Sequence, residues 1–248
     1  MATSTGDPMA LAEELSARIR SGELRARLLG GIAIYMRCPS LGQPPLARSY
    51  NDVDLAVTRQ EAAQLEKALS AQGWEADRRF NALYGAKRQL FFRDGVELDV
   101  FVGTFEQCHR LELDDRLAAH PLTLSLSDLL LTKLQVVELN HKDITDALGL
   151  LFDHAPEQGS GGDGLDLDSL CAVTGRDWGW HTTVSDNLHR LSDQAADYLA
   201  EDLAAEIRKR CATIEAAMEA CPKSFAWKMR ARVGRRLPWY VLPEEKQT

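Results

Sequence analysis

The stretches NDVDLAV, residues 51–57, and VELDVFV, residues 96–102, decide the fold that this sequence predicts. Each is rich in Val and Leu but carries acidic residues at internal positions, namely Asp52, Asp54 and Asp99. In a β-strand, residues i and i+2 point to the same side. Asp52 and Asp54 therefore present two carboxylates together, while their apolar neighbours face a core. The pattern predicts two buried strands with acidic side chains on one face.

The three carboxylates also predict a metal site. Like charges brought together repel one another strongly unless a cation lies among them. Oxygen ligands with an open coordination sphere suit Mg²⁺ or Mn²⁺, which complete their shell with water and substrate phosphates. We therefore expect Asp52, Asp54 and Asp99 to be metal ligands. Glu97 lies on the same face as Asp99 and is an alternative ligand.

A glycine pair, Gly30–Gly31, precedes these strands, between a short predicted strand and a predicted helix. Glycine lets the backbone approach a ligand closely, and the N-terminus of a helix favours negative charge. The pair is therefore a candidate phosphate-binding turn.

The combination of Leu29-Gly30-Gly31, Asp52-Val53-Asp54 and the later Asp99 resembles the nucleotidyltransferase superfamily, which includes DNA polymerase β and antibiotic nucleotidyltransferases. The resemblance implies an α+β fold, with a mixed β-sheet flanked by helices and followed by a C-terminal helical region. It also implies transfer of a nucleoside monophosphate from a nucleoside triphosphate (NTP) to an acceptor hydroxyl, with release of pyrophosphate. Asp52 and Asp54 would hold the metal on the triphosphate, and Gly30–Gly31 would bind the phosphates. Asp99 would bind a second metal or take the proton of the attacking hydroxyl.

Two segments, LLGGIAIYMR (28–37) and ARSYNDVDLAV (47–57), resemble more closely the abortive-infection type IV toxin branch of that superfamily. This resemblance implies that Arg48 contacts the triphosphate and that Lys133, on a helix, binds it as a catalytic cation. An Asp from the segment HKDITDALGLL (141–151) would complete the site.

The residues themselves leave alternatives for these positions. Lys133 also fits the solvated side of an amphipathic helix, and Arg48 fits a loop surface. Asp143 is favoured over Asp146 as the completing carboxylate, although a negative charge in the first turn of a helix is stabilising without any catalytic role.

The change of pattern along the chain predicts two parts. Residues 1–122 are expected to form the α/β core, and residues 123–248 a helical region that completes the cleft. The Gly-rich segment 155–164 is expected to be a flexible connector.

Within these parts, Arg88–Arg93 and Val96–Val102, separated by Asp94-Gly95, predict a β-hairpin. Trp74–Arg79 predicts another strand, and the apolar periodicity of Ser127–Asn140 predicts a helix.

Charge is unevenly distributed in this chain of net charge −8. The tail, residues 222–248, has seven Lys and Arg against two Glu, so the preceding residues carry −13. Basic residues interleaved with aromatic ones can bind RNA through phosphate contacts and stacking. The alternative is a terminal helix whose apolar side packs on the body of the protein.

The composition of the chain argues against several other classes of protein. No apolar run approaches the ~20 residues that span a bilayer, and the N-terminus lacks the pattern of a signal peptide, so we expect a cytoplasmic protein without a membrane partner. Five scattered cysteines without CxxC spacing argue against a disulfide framework or a zinc site.

Several alternatives stay open. The acceptor can be an RNA 3′ end, a small molecule or a protein side chain, and ATP is one of four possible NTPs. The chain can also be a catalytically idle nucleotide-binding module with a regulatory role. A third alternative is the toxin component of a toxin–antitoxin pair, held off by an inhibitory protein partner.

Overall fold

The computed structural model describes residues 6–159 and 161–242, which divide into two compact units. The first unit contains residues 6–37, 49–105 and 111–125. The second contains residues 38–48, residues 106–110 and the described residues from 126 onward.

The first unit is built around a mixed sheet with helices. Its helices are α1 Pro8–Arg20, α2 Gly30–Arg37, α3 Ala62–Ala71 and α4 Arg78–Tyr84. Its strands are β1 Arg27–Leu29, β2 Asp52–Val57, β3 Glu75–Ala76, β4 Arg88–Arg93 and β5 Val96–Val102. Two further short strands, β6 Thr104–Glu106 and β7 Arg110–Glu112, follow β5 in the chain.

The five strands of the main sheet lie in the order β1-β2-β5-β4-β3. Only β2 and β5 pair in parallel; the other neighbours are antiparallel. In the parallel pair, Asp54 lies beside Asp99 and Asp52 lies beside Glu97. Register partners point to the same side of a sheet, so all four acidic side chains share one face.

The opposite face of β2 and β5 is the core of this unit. Val53 and Leu55 on β2, and Leu98 and Val100 on β5, are fully buried. Their alternation with the acidic residues is the pattern expected of a sheet with one apolar face and one polar face.

The hairpin predicted from Asp94-Gly95 is confirmed, because Arg93 pairs with Val96 and both turn residues have positive φ. The strand predicted over Trp74–Arg79 is wrong beyond Ala76. The Asp77 side chain accepts a hydrogen bond from the Phe80 backbone N–H at 2.9 Å, which caps α4 and starts a helix there.

The second unit is largely helical. Its helices are α5 Leu126–Leu134, α6 His141–Asp153, α7 Leu167–Thr174, α8 Trp178–Tyr198, α9 Glu201–Ala220 and α10 Phe225–Val233. Short strands β8 Pro156–Glu157 and β9 Leu165–Asp166 pair in parallel. Single 3₁₀ turns are formed by Pro39–Gly42, Gly161–Asp163 and Gly234–Arg236.

The helix predicted over Ser127–Asn140 ends at Leu134, six residues early. The buried side chain of Asn187 donates hydrogen bonds of 2.8 Å to the carbonyls of both Leu134 and Val136. These bonds satisfy carbonyls at the end of α5, so the chain can leave the helix without burying unpaired groups.

The predicted fold class is confirmed: a mixed sheet flanked by helices is followed by a helical region. The boundary predicted at residue 122 and the flexibility predicted for residues 155–164 stay predictions. Among the described residues, no helix combines the length and the apolar character needed to cross a membrane.

Candidate functional site

Gly30 lies where β1 meets α2, next to the carboxylate of Asp54. Leu29, the residue before it, is the antiparallel partner of Asp54. Gly30 has φ +71°, and a Cβ atom built on it would lie 1.9 Å from Oδ2 of Asp54. No side chain fits in that space, so the close approach of backbone and carboxylate requires glycine.

Arg88 on β4 is bound to the third predicted carboxylate. Its Nε donates to Oδ1 of Asp99 and its Nη2 donates to Oδ2, each at 2.7 Å. The Asp99 side chain is only 5% exposed, and the Arg88 side chain is 32% exposed. Such a bidentate pair is strong and fixes both groups in one orientation.

Burial lowers the pKa of Arg88, but the hydrogen bond and charge of Asp99 outweigh it, so the pKa lies above its ordinary value. Asp54 and Glu97 contribute to this rise. Arg88 is therefore a permanent cation among carboxylates.

This face is lined by acidic side chains. Four carboxylates, those of Asp52, Asp54, Glu97 and Asp99, share it with the guanidinium of Arg88. Asp52 is exposed and Asp54 is half-buried, so cations from solvent can reach them. Carboxylates held close together favour the binding of a cation.

The fit of this face to a divalent metal is partial. Across residues 6–159 and 161–242, no group of three or more His, Cys, Asp or Glu is placed so that it could hold a metal ion as it stands. Asp52 and Asp54 fit Mg²⁺ bound by two carboxylates and completed by phosphates and water. Asp99 is instead engaged by Arg88 through both of its oxygens.

The second unit brings together the other predicted residues. Asp146 of α6 accepts two hydrogen bonds from Arg48, at 2.8 Å from Nε and 2.7 Å from Nη2. Lys133 of α5 lies 3.0 Å from Asp146 and 3.1 Å from Asp143. Asp146 has no exposed surface, whereas the side chain of Asp143 is 13% exposed.

This second cluster is balanced in charge, with two cations and two anions. Burial lowers the pKa of Lys133, but Asp146 and Asp143 together raise it above its ordinary value. Lys133 is therefore protonated and bound between them. Ion pairing among these side chains is enough to hold them together without a ligand. The roles that the resemblance implies for Arg48, Lys133 and Asp143 stay predictions.

Arg88 was not predicted as a site residue, although the sequence of the hairpin contained the signal. A two-residue turn at Asp94-Gly95 fixes Arg93 opposite Val96, and counting back places Arg88 opposite Phe101. Asp99 lies two residues from Phe101 on the same face, within reach of a long side chain. Register counting would therefore have paired Arg88 with Asp99.

Two tryptophans of the basic tail contact other residues of the second unit. Trp227 lies edge-on to His181 at 5.3 Å, and Trp239 donates a hydrogen bond to Thr183 at 3.1 Å. Phe225, by contrast, is 81% exposed. RNA binding by the tail stays a prediction; of its basic residues, Lys246 lies outside the described residues.

No family model matches the sequence. The comparison with curated proteins finds no match either. Among solved structures, an antigenic nucleotidyltransferase-like protein from Paracoccidioides brasiliensis is similar to this chain, with a TM-score of 0.42 and 15% identity. The match covers 90% of this chain and 97% of that chain. A likeness of this level carries no conclusion about family, so function rests on the site.

Gly30→Ala tests the close approach of backbone and carboxylate. We expect this variant to lose about 2 kcal/mol or more of unfolding free energy beyond the loss in Gly22→Ala, measured by urea denaturation. Gly22 is the matched control, because it also has positive φ (+79°) but nothing lies within 4 Å of its added Cβ. Equal losses in the two variants would contradict the packing of Gly30 against Asp54.

Asp146→Asn and Asp143→Asn test the arrangement of the second cluster. Asp146→Asn leaves Arg48 and Lys133 underpaired in a buried position, so we expect it to cost about 3 kcal/mol of unfolding free energy. Asp143→Asn leaves Lys133 paired with Asp146 and should cost less, about 1 kcal/mol. Chemical denaturation of both variants measures the difference, and a larger loss for Asp143→Asn would refute Asp146 as the centre of the cluster.

Proposed function

We propose that this protein is a metal-dependent nucleotidyltransferase, which moves a nucleoside monophosphate from an NTP to an acceptor hydroxyl. In this reaction the acceptor oxygen forms a bond to the α-phosphorus, the bond to the β-phosphate oxygen breaks, and pyrophosphate leaves. The observation that carries the proposal is the contact between the glycine turn at Gly30 and the acidic face at Asp54.

The turn supplies groups suited to phosphate. Gly30 and Gly31 are the first two residues of α2, an eight-residue helix. Backbone N–H groups at the start of a helix have no partner within the helix and lie at its positive end. A triphosphate bound there would lie beside Asp54, because the backbone of Gly30 and that carboxylate are in contact.

The acidic face supplies groups suited to a cation. Asp52 and Asp54 would hold Mg²⁺ or Mn²⁺, which when bound neutralises phosphate charge and polarises the α-phosphate. The two carboxylates are fixed on a central strand, so their orientation is set by the sheet and not by a loop. Asp99 holds Arg88 at the same face and thereby keeps a positive charge next to Asp54.

The proposal is tested by incubating purified protein with each α-labelled NTP and Mg²⁺ or Mn²⁺, with total RNA added in parallel. We expect label to be transferred to RNA, protein or a small molecule. Asp54→Asn should reduce this transfer at least about a hundredfold, because it removes a carboxylate that holds the metal against the developing charge.

Asp94→Asn is the matched control for that experiment. It makes the same chemical change in the same unit, at the hairpin turn, where φ is +52° and Asn is well tolerated. Equal transfer by Asp54→Asn and Asp94→Asn would reject the assignment of Asp54. Absence of NTP binding by the unaltered protein would reject the proposed function as a whole.

A catalytically idle, nucleotide-binding regulatory module is the second candidate function. The observation that favours it is the bidentate pair between Asp99 and Arg88, which engages a carboxylate that active members of the superfamily are expected to use. Metal-dependent NTP binding, measured by calorimetry, without label transfer to any acceptor would support this candidate. Transfer that is lost in Asp54→Asn would exclude it.

A further inference from the structure

Arg88 occupies the position at Asp99 that a second cation would need. Its two donors to Asp99 are 2.7 Å from the two carboxylate oxygens, which is the geometry of a complete fork-to-fork pair. Asp99 is the most buried of the carboxylates on this face, and a buried carboxylate requires a cation or hydrogen-bond donors. The chain therefore supplies its own counterion at this position.

The guanidinium is also held by aromatic rings. Its central carbon lies 5.3 Å from the ring centre of Phe101 and 5.8 Å from that of Phe80. Phe101 is the direct partner of Arg88 across β4 and β5. Both rings attract a cation through their faces, so Arg88 is fixed by contacts other than Asp99.

We propose that Arg88 takes the place of a second metal ion at Asp99, so that the site binds a single divalent cation, at Asp52 and Asp54. This inference rests on the proposed function. A second divalent ion on Asp99 would lie against the guanidinium and be repelled by it, whereas the first ion meets two carboxylates on the neighbouring strand. Arg88 is thus a positioning residue, which sets how many metal ions the site accepts.

The inference predicts metal stoichiometry, which is measured without any turnover. Mn²⁺ is titrated into the protein in the presence of α,β-methylene-ATP, and bound ion is counted by electron paramagnetic resonance. We expect about one Mn²⁺ per chain in the unaltered protein, and a second, weaker Mn²⁺ in Arg88→Gln, because this change removes the positive charge that engages Asp99. The second ion should disappear again in Arg88→Gln/Asp99→Asn.

Arg93→Gln is the matched control. Arg93 lies on the same strand but on the other face, where it pairs with Glu14 at 3.0 Å and lies 6.0 Å from the ring centre of Trp74. This variant removes the same charge from β4 and should bind the same number of ions as the unaltered protein.

Two outcomes would overturn the inference. Two ions in the unaltered protein, with one lost in Asp99→Asn, would show that Asp99 binds metal beside Arg88 and would overturn it. No gain of an ion in a folded Arg88→Gln would overturn it as well. If Arg88→Gln does not fold, the unaltered protein is compared with Asp99→Asn instead. We expect these two proteins to bind the same number of Mn²⁺ ions per chain. Absence of any Mn²⁺ in the unaltered protein would reject the proposed function, a result distinct from a wrong count.

Discussion

The parallel pairing of β2 with β5 is the constraint on which the site of the first unit depends. Its register places Asp54 beside Asp99 on one face of the sheet. On the other face it buries the apolar residues that alternate with these aspartates along each strand. A shift of one residue would turn the carboxylates of β2 into the core and its fully buried Val53 and Leu55 into water. Burying each such side chain stabilises the fold by about 1.5–3 kcal/mol, so the apolar face holds the acidic face in place.

The two charged clusters differ in how their carboxylates are paired with cationic side chains. The cluster of the second unit pairs Arg48 and Lys133 with two aspartates, so its charges are satisfied within the protein. On the acidic face of the sheet, Arg88 engages Asp99 through both carboxylate oxygens, while Asp52 is exposed to solvent. In the proposed function, a divalent cation would complement the carboxylates of this face and the glycine turn beside them would meet the phosphates, while the roles implied for Arg48, Lys133 and Asp143 stay predictions.

Local patterns predicted much of the fold because the strands alternate regularly. The strand predicted within residues 51–57 forms as β2, and both strands of the hairpin have the bounds predicted around Asp94-Gly95. The end of α5 could not be predicted, because it depends on Asn187, a residue more than fifty positions away. The helix at Arg78–Tyr84 depends on Asp77, whose capping role competes with the strand pattern around it.

The carboxylates and glycines of the candidate site were predicted as residues, whereas the pairing of Asp99 with Arg88, which the hairpin register indicates, was not drawn from the sequence. Asp52, Asp54 and Asp99 were identified by residue type and spacing alone, and the register then brings Asp54 and Asp99 together.

The most direct test of the account is amide broadening by Mn²⁺ with α,β-methylene-ATP in the ¹⁵N-labelled protein. The account predicts that the signals of Gly30 and Gly31 and of residues 52–54 are lost first. Sharp signals at these residues in the presence of bound Mn²⁺ would contradict it.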